Sequence, residues 1–181
     1  VSVCGPILRV IARQRRVALP FVVDLVGATA LETRFWATYL LTELAYPEAA
    51  GALVARLVDP EARVRHVARL AARALADGHP NAMVDALTRA VDDEHAGQSV
   101  RAALLEVLGT LREPTAVPVL IETLQVGEPS LAPTARVALV SATRQDFGVD
   151  ARAWSAWWES NKARHRMEWL IDALGHEQAA M

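Results

Sequence analysis

Three stretches of the chain open alike at a nearly constant interval: "YPEAAGALVARLVD" from Tyr46, "HPNAMVDALTRAVD" from His79 and "EPTAVPVLIETLQ" from Glu113. Their prolines, Pro47, Pro80 and Pro114, lie 33 and 34 residues apart. A repeat of that size is too small to bury its own apolar face, so neighbouring copies have to stack and share one interior. Proline at a first helical position gives up no intrahelical hydrogen bond and presets φ, so each of the three predicts a helix start. An earlier copy, "VALPFVVDLV", lacks the leading proline. Its Ala18 aligns with Ala49, Ala82 and Ala116 at steps of 31, 33 and 34, and Pro20 and Pro118 each follow the matching alanine by two.

A second helix is predicted after each of these. In "EARVRHVARLAARAL" the apolar residues Val64, Val67, Ala68, Ala71, Ala74 and Leu75 follow the 3.6-residue period of a one-sided helix. The same pattern returns at Thr33, Trp36, Ala37, Leu40 and Leu44, at Val100, Ala103, Leu104, Val107 and Leu108, and at Leu131, Thr134, Ala135, Ala138 and Leu139. No strand-like alternation competes. The expected fold class is all-α, a right-handed α–α superhelix of four helix pairs over residues 17–143, forming a single domain. Residues 1–16 are expected to form an N-terminal capping helix that packs Ile7, Leu8, Val10 and Ile11 onto the first pair.

Composition narrows the function. With 181 residues, 52% hydrophobic and 22% charged, the chain is long enough for a core and too apolar to be disordered. A formal net charge of -2 provides no global field for nucleic acid or an anionic membrane, and the arginines are interleaved with acids. No nucleic-acid partner and no membrane insertion are therefore expected. Cys4 is the only cysteine, so an intrachain disulfide is impossible; with no secretory pattern at the start and no long apolar run, a cytoplasmic location is expected. Histidines 66, 79, 95, 165 and 176 are scattered, without the i, i+4 spacing of a helical zinc site. No G-x-S-x-G, phosphate-cradling glycine loop or Cys/His pair is present. No catalytic residue, metal or cofactor is expected, and "RQRR" (13–16) reads as the positive end of the capping helix.

Four of the five tryptophans fall within residues 154–169. "VPVLIETL" (117–124) aligns with "MEWLIDAL" (167–174) at an offset of 50, one standard step of 31 plus 19 extra residues. The extra residues form an aromatic insertion, 144–163. Gly148 suits a left-handed helix end and Asp150 suits the cap of a helix from about Ala151 to Asn161. Trp154, Trp157 and Trp158 then share one face. Either that face seals a gap, with Phe147 and Trp169 completing a cluster in which each ring contributes on the order of 2–3 kcal/mol, or it is a stacking platform for a partner. Trp158 is the ring expected to show an edge. Residues 164–181 read as the first helix of an incomplete fifth pair, which leaves Met167, Leu170, Ile171 and Leu174 for a continuing chain or another subunit to cover.

"LVDPEARVRHVARLAARAL" (57–75) resembles the inter-helix turn and second helix of HEAT repeats, particularly the short bacterial type called PBS-lyase-like, and the likeness extends over residues 17–143. "QDFGVDARAWSAWW" resembles a segment that recurs after such pairs in bacterial proteins. The resemblance implies that Asp59, Arg65, Arg34 and Arg101 tie adjacent repeats together. It also implies weaker ties at the first and fourth pairs, where Ala28 replaces the Asp and Ala132 the Arg, and a protruding acidic loop at "DDEHAGQS" (92–99). In function it implies a non-enzymatic scaffold that binds another protein, as one section of a larger assembly or oligomer. The same likeness includes bilin lyases, which attach chromophores, and HEAT-like DNA glycosylases. No residue here marks a bilin site, and the balanced charge is against the glycosylase.

Solenoids bind through the concave face lined by second helices. Register projects Thr38, Arg69, Leu105 and Arg136 outward in one row and Thr42, Arg73, Gly109 and Val140 in the next, with Tyr39, His66 and Glu106 alongside. Arg69 and Arg73, one helical turn apart, form a positive spot suited to an acidic protein segment.

Overall fold

The computed structural model describes residues 5–126 and 128–179, the last five of these by their backbone alone. Cys4 and the first four residues of the expected capping helix lie outside the described residues, as does the His176 side chain. Every regular element among the described residues is helical. The chain divides into two compact units after Leu87.

The first unit opens with α1 (Pro6–Arg13), α2 (Leu19–Val26) and α3 (Leu31–Leu40), followed by α4 (Ala50–Leu57) and α5 (Ala62–Gly78). Helix α6 (Pro80–Val91) spans the division. Helix α2 packs on α3 and α4 on α5, and the second helices α3 and α5 pack on each other. Of the expected α5 stripe, Val64, Val67, Ala68, Ala71 and Leu75 are buried, while Ala74 is only part-buried and Ala72 faces the interior as well. Two of the marker prolines act differently from a simple helix start. Pro47 and Pro114 each begin a single 3₁₀ turn that tightens the chain before α4 and before the corresponding helix of the second unit. Each turn closes on a fully buried alanine, Ala49 or Ala116, which explains why alanine holds the repeat register there. Proline fixes φ but does not choose between the two helical pitches.

The second unit contains α7 (Gln98–Leu111), α8 (Val117–Val126), α9 (Ala132–Thr143), α10 (Ala151–Asn161) and α11 (Arg166–Ala179). Helices α8 and α9 pair, while α7 packs on α9 most extensively. Gly109 explains the closeness of that crossing: a Cβ there would stand 2.5 Å from the Ala138 Cα, so only hydrogen fits.

The turns of the pairs are tied by guanidinium groups rather than by side-chain N-caps. Arg34 donates from Nη1 to the Ala28 and Thr29 carbonyls, both at 3.0 Å, and Arg65 does the same to Asp59 and Pro60 at 2.7 Å. Arg34 also donates from Nε to Asp59 at 2.7 Å, joining the first pair to the second. The absent Asp at position 28 therefore does not cost the first pair its tie, because Arg34 grips a backbone carbonyl there and the next repeat's carboxylate. In the second unit Arg101 bonds the Val91 carbonyl at 2.7 Å and Glu128 at 2.6 Å. Glu128 takes the part that Asp59 plays earlier. The long third turn, residues 92–97, is mostly exposed, and the Asp93 carboxylate accepts the His95 N–H at 2.9 Å.

Helix α1 departs from expectation. It buries none of its residues: Ile7 is 74% and Val10 56% exposed, so it does not cap the first pair closely.

Candidate interaction surfaces

The exposed side of α5 is set by its buried stripe. With Val67, Ala68, Ala71 and Ala72 facing inward, His66, Arg69, Leu70 and Arg73 face solvent along one side. Leu70 is half exposed, flanked by the two arginines. Arg73 pairs with Asp77 at 3.0 Å, an i, i+4 surface contact that holds the guanidinium loosely. On α3, Tyr39 is half-buried and its ring meets Trp36 edge to face at 5.8 Å. The other projected positions of the first unit are not free surface. Thr38 is buried, donating to the Arg34 carbonyl at 2.7 Å, and Thr42 donates to the Tyr39 carbonyl.

In the second unit the projection fails at Leu105 and Gly109, which are buried where α7 crosses α9. Leu105 is part of the core and cannot grip a partner. Arg136 is exposed but committed, forming a bidentate pair with Asp146 in the turn after α9. The Arg136 hydrogen bonds, with the Gly148 N–H, hold the Asp146 carboxyl down at about 2. Arg136 is thus a brace for that turn. Glu106 remains on the exposed side of α7.

The aromatic insertion is an interlocked cluster. Phe147 meets Trp154 at 4.9 Å and 89°, Trp154 meets Trp157 at 6.2 Å, and Trp169 meets Trp157 at 5.3 Å and Trp158 at 5.8 Å. The indole N–H of Trp154 donates to the Gly148 carbonyl at 2.9 Å and that of Trp169 to the Asn161 carbonyl at 3.2 Å. Trp154 and Trp169 are buried, while Trp157 and Trp158 are part-exposed. The bulk of the cluster is wall. Asp150 caps α10 through the N–H groups of Arg152 and Ala153. Gly148 has φ 61°, but α9 ends earlier, at Arg144, which adopts the left-handed conformation with φ 65°. Beyond the cluster, Met167, Ile171 and Leu174 form an exposed stripe on α11, with Leu170 half-buried beside a recess of about 410 Å³ next to Arg144.

One surface escaped the sequence reading. Helices α1, α2 and α3 enclose an open apolar groove of about 400 Å³, lined by Leu8, Ile11, Val17, Phe21, Leu25 and Trp36. The signal was present in "VALPFVVDLV", whose only charged residue is Asp24. Leu19, Val22 and Val26 face the core, and Val17, Phe21 and Leu25 form a second apolar row on the other side. A helix apolar all round calls for cover on both sides.

Several ionisable groups are engaged in ion pairs that hold the turns, Asp59 with Arg34 and Arg56 and Arg101 with Glu128 among them. Burial pushes the Asp59 carboxyl up, but hydrogen bonds from Arg34 and the Glu61 N–H and the charges of Arg34 and Arg56 outweigh it, leaving it below the ordinary aspartate range. Among the described residues no group of three or more His, Cys, Asp or Glu side chains is gathered as a metal would require. Among the described residues no helix is long and apolar enough to cross a membrane.

Residues 65–140 match the family model described as HEAT repeats. A designed armadillo repeat protein in complex with the peptide (KR)4 resembles the chain at 16% identity and TM-score 0.40, over 93% of this chain and 89% of that one. No curated protein matches the sequence. Residues 65–140 thus resemble HEAT repeats, within a chain whose regular elements among the described residues are all helical and packed in pairs.

Proposed function

We propose that this HEAT-repeat chain is a non-enzymatic interaction module that holds an acidic segment of a partner protein on the solvent side of α5. Repeat folds of this type typically serve as interaction scaffolds, and the side chains of α5 supply the chemistry. The observation that carries the reading is Leu70, half exposed between Arg69 and Arg73, with His66 one turn before. An apolar anchor ringed by guanidinium groups suits a carboxylate-bearing segment with a hydrophobic residue at its centre, because Arg offers fork-shaped donors and Leu70 offers area to desolvate. Tyr39 on α3 supplies an aromatic edge of the kind enriched in such contacts. Glu106, Trp158 and the α11 stripe of Met167, Leu170, Ile171 and Leu174 are secondary surfaces in this proposal.

The test is capture of partners from the native cell by the tagged chain, followed by competition with an acidic peptide. Arg69→Glu combined with Arg73→Glu is expected to abolish capture while helical circular dichroism stays unchanged. Arg152→Glu, an exposed charge reversal on α10, is expected to leave capture intact. Capture that survives the double reversal would remove α5 from the binding surface.

A further inference from the structure

Helix α1 has two unlike sides. Leu8 and Ile11 line the apolar groove, whereas Arg9, Ala12 and Arg13 line a separate polar recess of about 330 Å³, completed by Arg15, Glu43 and Tyr46. We propose that this recess binds the phosphoryl group of a phosphorylated peptide segment, held by the guanidinium groups of Arg13 and Arg15. The site shares no residue with the α5 surface and stands or falls independently of the function proposed above.

Four observations combine. First, three guanidinium groups meet one carboxylate here, an excess of two positive charges in a chain whose formal net charge is -2. A phosphorylated side chain brings close to two negative charges near neutral pH and three acceptor oxygens, enough for more than one fork; a carboxylate brings one charge and fills one. Secondly, Arg13 and Arg15 are exposed, and among the described residues neither has an ion pair or a side-chain hydrogen bond. Arg34, Arg101 and Arg136, by contrast, each grip a carboxylate. The dipole at the end of α1 accounts for Arg13 in its last turn but not for Arg9, a full turn earlier. Thirdly, the path of the chain gathers the three. Arg9 and Arg13, four residues apart, share one side of α1, and a continuing helix would carry Arg15 to the far side. Instead α1 ends at Arg13, Arg15 takes a left-handed φ of 47°, and it lines the same recess. Fourthly, the opposite wall is fixed. Arg16 pairs with Glu48 and lies 5.6 Å over the Tyr46 ring, which ties the link between α1 and α2 to the turn before α4. Tyr46 is half-buried, and its ring offers apolar area to the carbon chain that carries the phosphoryl group. The recess has several times the volume of a phosphate ion, so a free ion leaves most of it empty. Glu43, exposed at its margin, repels an anionic bilayer and attracts a basic residue next to the phosphoryl group.

The experiment uses the full chain and three synthetic peptides read by fluorescence anisotropy. They share a lysine after the central position and differ only in that position, which is phosphoserine, serine or aspartate. The phosphoserine peptide is expected to bind at least about tenfold more tightly than the serine peptide and about fivefold more tightly than the aspartate peptide, an advantage that shrinks as salt is raised. Arg13→Gln with Arg15→Gln, at two exposed side chains, is expected to bring the three peptides level with circular dichroism unchanged. Arg69→Gln with Arg73→Gln removes the same charge from α5 and is expected to leave the preference intact. Equal binding of the phosphoserine peptide and either of the others, or a preference that survives Arg13→Gln with Arg15→Gln, overturns the proposal. So does displacement of the phosphoserine peptide by inorganic phosphate at equal concentration, which would make the free ion the ligand. Retention on vesicles containing phosphatidylinositol phosphate without any phosphoserine preference overturns it too, in favour of a lipid headgroup. Loss of α5-dependent capture with the phosphoserine preference intact removes the function proposed above and leaves this site standing.

Discussion

The turn between α4 and α5 and the turn between α9 and α10 do the same job by opposite chemistry. In the first, the Asp59 carboxylate is buried and collects Arg34 at 2.7 Å, Arg56 at 2.8 Å and the Glu61 N–H at 3.0 Å. In the second, the buried Trp154 ring is held edge to face by Phe147 and Trp157, and only its N–H makes a polar bond. The first is a directional lock that matches a carboxylate to two forks and fails if any member loses its charge. The second depends on area removed from water, so it responds to shape and little to pH or salt. Paired helices therefore need the charged lock only where a turn must be gripped from the adjacent pair. Where a 19-residue insertion breaks the register, rings can close the gap because they need volume rather than a partner at a fixed position.

Removing the centre of each lock gives the largest contrast. Trp154→Ala is expected to cost about 3–5 kcal/mol in urea denaturation, nearly independent of salt, because a large ring leaves a hole that its T-shaped neighbours cannot fill. Asp59→Asn keeps the shape but strips the charge from between Arg34 and Arg56, at an expected cost of about 3 kcal/mol near neutral pH. The sign of its pH dependence follows from the folded carboxyl lying below the ordinary aspartate value of 3.8. Stability from a depressed carboxyl is present above the unfolded value and is lost as pH falls through the folded one. The gap between the native chain and Asp59→Asn is thus full at neutral pH and closes in acid below 3.8. A Trp154→Ala gap that closed over the same acid range, or an Asp59→Asn gap that did not, would break the comparison.

How these locks were anticipated shows what sequence carries. The repeat, most of the α5 stripe and the Asp150 cap were readable because each is a local pattern, a period or a cap ahead of a helix, whereas the Asp59 and Arg34 ties came only from the resemblance to HEAT repeats. Leu105 and Gly109 were misplaced because the period within α7 cannot tell which side α9 will cover. The close crossing is set by the small Ala138 opposite Gly109, a fact about two helices at once. Likewise α1 shows an apolar face in sequence, and nothing in that face says whether anything lies against it. The groove was therefore read as a sealed cap. Arg136 looked like a free cation on its helix, but its partner Asp146 lies across a turn whose path the sequence does not fix.

A smaller change separates fork geometry from charge in the first lock. Arg34→Lys keeps the positive charge beside Asp59 but cannot reach the carboxylate and the Ala28 and Thr29 carbonyls together. It is expected to cost about 1–2 kcal/mol in thermal or urea unfolding, since one ammonium replaces several directional donors. A loss as large as that of Asp59→Asn would mean that the carbonyl ties, rather than the charge, carry this turn.

The smallest expected effects come in a pair of opposite sign within the aromatic turn. Arg144 ends α9 with φ 65° and Gly148 follows with φ 61°. A side chain in that region crowds the carbonyl that follows it, and glycine avoids the crowding. Arg144→Gly is expected to raise the free energy of unfolding, read from urea denaturation, by about 0.5–1 kcal/mol, and Gly148→Ala to lower it by about 1 kcal/mol. No other heavy atom lies near enough to Gly148 to obstruct a methyl group, so its cost isolates the backbone contribution. If both substitutions destabilise, the Arg144 side chain itself holds the turn, and the aromatic lock would depend on a guanidinium as the charged lock does.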